Sequence, residues 1–112
     1  MHRGEILWAA LGRPTGSEPG YRRPVVILQT NEFNDSPIRT VVVVAITSNL
    51  GLARAPGNVR CRKRETGLSK SSVVNVSQVA TIDKSRLLER IGALPGRLLA
   101  EVEDGVRLAL GL

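Results

Sequence analysis

Thr40-Val41-Val42-Val43-Val44-Ala45-Ile46 decides the fold class of this chain. Its β-branched residues are stiff at χ1 and favour extended backbone, and the run is apolar at odd and even positions alike. It is the strongest strand signal in the chain. Working outward, Pro24-Val25-Val26-Ile27-Leu28-Gln29 is a second continuously apolar strand, joined to the first by the turn-forming stretch Asn31 to Pro37. On the other side a glycine- and proline-bearing loop, Ser48 to Gly57, leads to a strand from Asn58 to Lys63 and a turn at Glu65-Thr66-Gly67. Ser72 to Ile82 is a further strand, with Val73, Val74, Val76, Val79 and Ile82 apolar. Toward the N-terminus, Glu5 to Leu11 reads as the first strand. It is followed by Gly12-Arg13-Pro14-Thr15-Gly16-Ser17-Glu18-Pro19-Gly20, a loop long for a hairpin connection and therefore a place to look for function.

Asp83 is a suitable N-cap for a short helix through Ser85, Arg86 and Leu87, after which Arg90-Ile91-Gly92 returns to extended backbone. Pro95 fits a first helical position. Leu98, Leu99, Val102, Val106 and Leu110 then recur at helical spacing, with Glu101, Glu103, Asp104 and Arg107 around them. That pattern predicts one amphipathic helix laid on a sheet. Some five strands and a terminal helix in 112 residues predict a mainly β fold, a small curved antiparallel sheet or barrel spanning 1–112 as one domain.

The bulk composition narrows the function classes. A net charge of +6 and an isoelectric point near 10.7 favour an anionic partner, through counterion release and steering. Aromatics are only 3%, Trp8, Tyr21 and Phe33, which disfavours an open single-strand binder built on stacking platforms. The single cysteine, Cys61, rules out an internal disulfide framework and a cysteine-rich zinc site. It alternates with Arg60 and Arg62 on a strand, so a buried thiol is expected. The opening Met-His-Arg-Gly-Glu has no apolar core of a signal peptide, and no apolar stretch reaches membrane-spanning length, so the expected compartment is the cytoplasm with no membrane partner.

Chemistry is constrained by what is missing. His2 is the only histidine, so a histidine-pair ribonuclease mechanism is excluded. No His/Asp/Glu cluster has metal-ligand spacing, no glycine-rich loop opens a helix as a phosphate loop does, and the serines lack a histidine base, so neither a metal nor a cofactor is expected. What remains is polar residues at strand edges. Arg22 and Arg23 end the long first loop; Thr47, Ser48 and Asn49 end the valine strand; Asn75, Ser77 and Gln78 interrupt the last strand; Arg60, Arg62, Lys63 and Arg64 form a basic run. Taken singly, each reads equally as a turn, a surface charge or a solvated face.

Taken in order, they resemble one family. Arg3-Gly4-Glu5-Ile6 with Trp8, then Gly16-Ser17-Glu18 and Arg23-Pro24-Val25, are similar to the opening of the MazF/PemK/Kid toxins. Phe33-Asn34 and Ile46-Thr47-Ser48-Asn49 resemble the family's second signature. Pro56-Gly57-Asn58-Val59, Ser72-Val73-Val74 to Gln78, Thr81-Ile82-Asp83-Lys84 and Arg86-Leu87 resemble its third. The resemblance implies an SH3-like, partly open antiparallel barrel with a C-terminal helix, assembled as a homodimer. It implies the toxin of a type II toxin–antitoxin pair, blocked by a MazE-like antitoxin. It further implies a sequence-specific, metal-independent endoribonuclease that cuts single-stranded RNA, leaves a 2′,3′-cyclic phosphate and a 5′-hydroxyl, and so inhibits translation and growth; mRNA is the first candidate substrate, rRNA and tRNA the next.

On this resemblance the catalytic arginine is Arg23, which directly precedes Pro24, and the catalytic threonine is Thr47. Ser17 and Glu18 match loop positions that contact or position RNA, Gln78 matches a base-reading position, and Asn49 and Ser77 fall beside these. The Kid branch places a histidine in the loop and an arginine and an aspartate on the last strand; here those places hold Ser17, Asn75 and Ser77, so that acid–base set is absent. A guanidinium suits the stabilisation of a phosphorane-like state, because its donor fork matches phosphate oxygens. As a base it is poor, since deprotonating a guanidinium at pH 7 costs roughly 7.5 kcal/mol. Glu18 is the nearby carboxylate left for that task. The competing readings are a gyrase-poisoning toxin of the same barrel, as in CcdB, and a non-catalytic nucleic-acid-binding module.

Overall fold

The protein is described from a computed structural model covering residues 1–13, 16–17 and 21–112. The elements run β1 (Glu5–Ala10), β2 (Arg22–Ile27), α1 (Asn31–Asn34), β3 (Thr40–Thr47), a 3-10 turn Leu50–Arg54, β4 (Val59–Cys61), α2 (Lys63–Thr66), β5 (Ser72–Asp83), a 3-10 turn Lys84–Arg86, β6 (Leu87–Ala93) and α3 (Gly96–Leu110). The six strands form one antiparallel sheet in the order β4-β5-β3-β2-β1-β6. The sheet curls, but its edge strands β4 and β6 do not pair, so the barrel stays open. The mainly β, partly open architecture with a terminal helix is the one expected.

The valine run occupies the middle of this sheet for the reason its pattern implies. Val41 and Val43 point into one core, with Leu7, Ala9, Val25 and Ile27, closed by Ala80, Ile82 and Leu87 as the sheet folds over. Val44 and Ile46 point the other way, into a second core with Ile6, Val26 and Val76 that is covered by Leu98, Val102 and Val106 of α3. Strand alternation thus sends one apolar run to two cores.

Several boundaries differ from expectation. β2 starts at Arg22, so Arg22 and Arg23 belong to the strand rather than to the loop before it. It ends at Ile27 because Gln29 turns inward: its Nε2 donates to Asn34 Oδ1 at 3.0 Å, and Asn34 Nδ2 returns a bond to the Gln29 carbonyl at 2.9 Å. These buried amides satisfy each other and pin a helical turn, α1, where only a polar connection was expected. The turn at residues 65–67 is α2. Pro95 caps α3 rather than opening it, and Leu110 is exposed.

β5 carries the main irregularity. Val44 pairs with Val79, but Ile46 pairs with Val74, so two steps along β3 are matched by five along β5. The excess length bends the strand at Asn75, Val76, Ser77 and Gln78.

Two ion pairs clamp the periphery. Glu5 accepts the His2 N–H and pairs with Arg90, tying β1 to β6. Glu65 accepts the Arg62 N–H at 2.8 Å and pairs with Arg97, tying α2 to α3. Burial pushes the Glu5 carboxyl up, but the Arg90 and His2 hydrogen bonds outweigh it, and its pKa lies below 4.5. The Arg62 N–H and then Arg97 hold Glu65 below the same value. Groups with lowered folded pKa values contribute stability above the unfolded value and lose it as pH falls through the folded one. Melting temperature followed by circular dichroism should therefore be flat from neutral pH to about 5 and fall below about 4.5, and Glu5→Gln with Glu65→Gln should flatten that acid limb. An acid limb identical in the double variant would remove these pairs as its cause.

Candidate functional site

Arg23 and Thr47 start on different strands and arrive on one face. Arg23 pairs with Ala9 of β1 and shares its face of β2 with Val25 and Ile27. Val25 pairs with Ala45, and continuing that register by two residues sets Arg23 across from Thr47. Arg23 is half-buried and makes no ion pair or side-chain hydrogen bond among the described residues, so its guanidinium donors are free for a ligand. Thr47 Oγ1 accepts the Asn49 N–H at 3.2 Å, which orients the hydroxyl and leaves its proton to donate elsewhere.

A cleft of about 290 Å³ opens at this end of the sheet. Arg23 lines it, with Arg22, Trp8, Pro24, Ser48 and Lys70 among its other walls, and no carboxylate among the described residues does. Thr47 stands beside it rather than in its wall. The two neighbouring arginines are in different states. Arg22 lies 5.1 Å above the Trp8 ring and donates through Nη2 to both oxygens of Glu89, at 2.6 Å to Oε1. Arg22 is thereby held in place, while Arg23 has no such partner among the described residues. Tyr21, just before them, is exposed and sits at φ 57, a left-handed conformation that a tyrosine adopts only under constraint. The backbone bonds between Tyr21 and both Gly12 and Leu11 supply that constraint and fix the base of the loop.

Ser17, Ser77 and Gln78 come together elsewhere. They line a second concavity of about 610 Å³, floored by Leu11, Ala80 and Ile82. Gln78 Nε2 donates to the Ser17 carbonyl at 3.0 Å, bridging the first loop to the bend in β5. Ser77 Oγ donates to Asn75 Oδ1 at 3.2 Å, and Asn75 also accepts from Asn58 Nδ2 at 3.3 Å. Asn49 lines neither cavity: it caps the 3-10 turn, its Oδ1 accepting the Gly51 N–H at 3.1 Å. Glu18 lies outside the described residues.

Trp8 and Lys70 are cleft residues that strand-edge reasoning passed over, whereas Ser48 was among the strand-end residues it singled out. Trp8 carried a signal as the only tryptophan, whereas nothing around Lys70 in Ser69-Lys70-Ser71-Ser72 marked it. Cys61 is buried, as expected, and burial, with Glu65 and Glu101 nearby, pushes its thiol up to about 11, so it is no nucleophile at neutral pH. Among the described residues, no group of three or more His, Cys, Asp or Glu side chains is placed to hold a metal ion.

The arrangement is suited to a phosphodiester: cations, a hydroxyl donor, and no carboxylate among the described residues of the cleft wall. The comparisons with known proteins agree with it. The family described as PemK-like, MazF-like toxin of type II toxin–antitoxin system matches residues 2–110. Endoribonuclease MazF6 of Mycobacterium tuberculosis is 46% identical over 112 residues, covering 100% of this chain and 98% of that protein. Among solved structures, MazF from Deinococcus radiodurans superposes with a TM-score of 0.82 at 26% identity, covering 100% of this chain and 97% of that one. The MazE–MazF complex from the same organism is similar, with a TM-score of 0.78 at 25% identity, covering 100% and 96%. This chain therefore belongs to the PemK-like, MazF-like toxins of type II toxin–antitoxin systems, the family of the endoribonuclease just named.

Proposed function

We propose that this chain is an endoribonuclease that cuts single-stranded RNA at the Arg23 cleft without a metal. The carrying observation is Arg23 itself, half-buried, with no partner for its guanidinium among the described residues, and set across the sheet from Thr47. Attack of the RNA's own 2′-hydroxyl on the adjacent phosphorus gives a phosphorane-like state with added negative charge on the equatorial oxygens. The Arg23 fork and the Thr47 hydroxyl donate to those oxygens, a stabilisation that preorganised donors supply at roughly 2.7–4 kcal/mol each. Departure of the 5′-oxygen leaves a 2′,3′-cyclic phosphate on one fragment and a 5′-hydroxyl on the other, and in this scheme Arg23 also donates the proton to that oxygen. Glu18 is the loop carboxylate we assign as base.

Ser17, Ser77 and Gln78 form the base-reading surface in this scheme, Asn49 contributes a further RNA contact outside both cavities, and cutting of RNA, mRNA first, stops translation. The functional unit in this scheme is a homodimer, and an antitoxin restrains it; the antitoxin reading is supported by the MazE–MazF complex of Deinococcus radiodurans. Its site of action is the cytoplasm; no helix among the described residues is long and apolar enough to cross a membrane.

The test is incubation of the purified chain with a long single-stranded RNA in excess EDTA. Fragments should appear at discrete positions, and their 5′ ends should accept phosphate from polynucleotide kinase without prior phosphatase treatment. Intact RNA, cleavage abolished by EDTA, or 5′-phosphorylated ends would each overturn the scheme.

A further inference from the structure

The basic run that the cleft leaves unused builds a groove of its own. A concavity of about 890 Å³ is lined by Arg60 on the edge strand β4, by Arg62, Lys63 and Arg64 around α2, and by Arg97 on α3. Among the described residues, two carboxylates, Glu65 and Glu101, stand among these five cations. Arg97 is paired with Glu65, but Arg60, Arg62 and Arg64 are exposed and have no ion pair among the described residues. A fold does not gather unpaired like charges on one concave wall without a cost in repulsion, and an anionic ligand removes that cost.

The groove and the cleft are lined by neighbouring residues of one short segment. Ser71 lines the groove, while Lys70 and Ser72, its chain neighbours, line the cleft that holds Arg23. In an RNA that extends past the cleft, nucleotides crossing this short segment would meet the groove. The wall chemistry selects among anions: guanidinium forks match phosphate oxygens, and among the described residues Leu98 is the only apolar side chain lining the groove, so it offers little to the hydrophobic anchors of a peptide. We propose that this groove is a second anchoring site for RNA, holding backbone phosphates of nucleotides outside the cleaved step. The inference rests on the Arg23 cleft being where RNA is cut.

The experiment measures binding, so that it does not depend on cutting. The probes are 2′-deoxy-blocked RNAs of about 6 and about 16 nucleotides containing the same cleavage sequence, titrated at several salt concentrations. The parent should bind the long probe more than tenfold tighter than the short one at low salt. In Arg60→Ala/Arg62→Ala/Arg64→Ala the long-over-short ratio should fall toward one. The salt slope for the long probe should drop by about 2, at about 0.7 per lost phosphate contact. The corresponding triple lysine variant, which keeps the charges, should retain most of the slope and guards against a folding defect. Equal affinity of the parent for both probes, or an unchanged ratio in the alanine variant, would overturn the proposal. So would polyglutamate binding that needs these arginines while RNA length has no effect, which would make the groove a peptide site. A length effect in a parent that cuts no RNA would remove the cleavage scheme and leave the groove; cutting without a length effect would remove the groove alone.

Discussion

Arg23→Ala is expected to cut RNA at least about 100-fold more slowly than the parent, the loss that follows removal of one preorganised donor from an oxyanion-type site. Stability should barely change, because Arg23 forms no ion pair or side-chain hydrogen bond among the described residues and surface substitutions of this kind stay within about 0.5 kcal/mol. Arg23→Lys separates charge from geometry: it keeps the cation, loses the planar fork, and should fall between parent and alanine. Thr47→Ala should lower the rate in the same direction, since it removes the second donor across the strand. Arg22→Ala should behave differently. Arg22 already binds Glu89 and covers Trp8, so its loss should disturb the cleft wall and lower the melting temperature as well as the rate. The readout is single-turnover cleavage of one RNA beside thermal unfolding of each variant. Cleavage by Arg23→Ala and Arg23→Lys at the parent's rate would remove Arg23 from the chemistry.

The largest expected effect on stability is at Gly105. It lies inside α3, where alanine ordinarily stabilises a helix by about 1 kcal/mol over glycine. Here the sign reverses. A Cβ at Gly105 would sit 2.1 Å from the Gly57 carbonyl oxygen and 2.9 Å from Val76 Cγ1. The first is backbone, in a loop residue at φ +81, and cannot swing aside as a side chain would. Gly105→Ala must push α3 off the sheet, loosening the core that Val102 and Val106 cover, and should cost about 3 kcal/mol, roughly 10 °C or more in melting temperature. Gly96 is the internal control. It opens the same helix, has nothing within 4 Å of a built Cβ, and as alanine should be neutral or slightly stabilising. Equal melting temperatures for the two variants would mean that the Gly57–Gly105 contact does not set the position of α3.

What was legible in the sequence is what local periodicity encodes. Strands at the valine run and at Val73 to Ile82, the N-cap at Asp83, and the buried stripe of α3 all follow from residue type at fixed spacing, because side-chain direction repeats every 2 or 3.6 residues wherever the chain goes. The order of the strand-end residues along the chain also carries the family resemblance, which needs no knowledge of which strands pair. Where local reading failed, a contact from outside the window had intervened. Gln29 left β2 because Asn34 was there to bind it, and Leu110 is apolar yet exposed because the helix outruns the sheet.

The sequence by itself determined that this protein is a mainly β barrel with one amphipathic helix, and that its polar chemistry stands at strand ends. Only the tertiary structure decided which of those ends meet. The β2–β3 register sets Arg23 across from Thr47, and the unequal count along β5 puts Ser77 and Gln78 against the first loop. A lone pair of glycines lets α3 close over the core, and a basic run becomes one wall of a groove with Arg97 as the other. The physical reason is common to all four: register and close approach between residues far apart in the chain are set by packing and loop closure across the whole sheet, and a one-residue slip would turn every side chain to the opposite face without changing the local pattern.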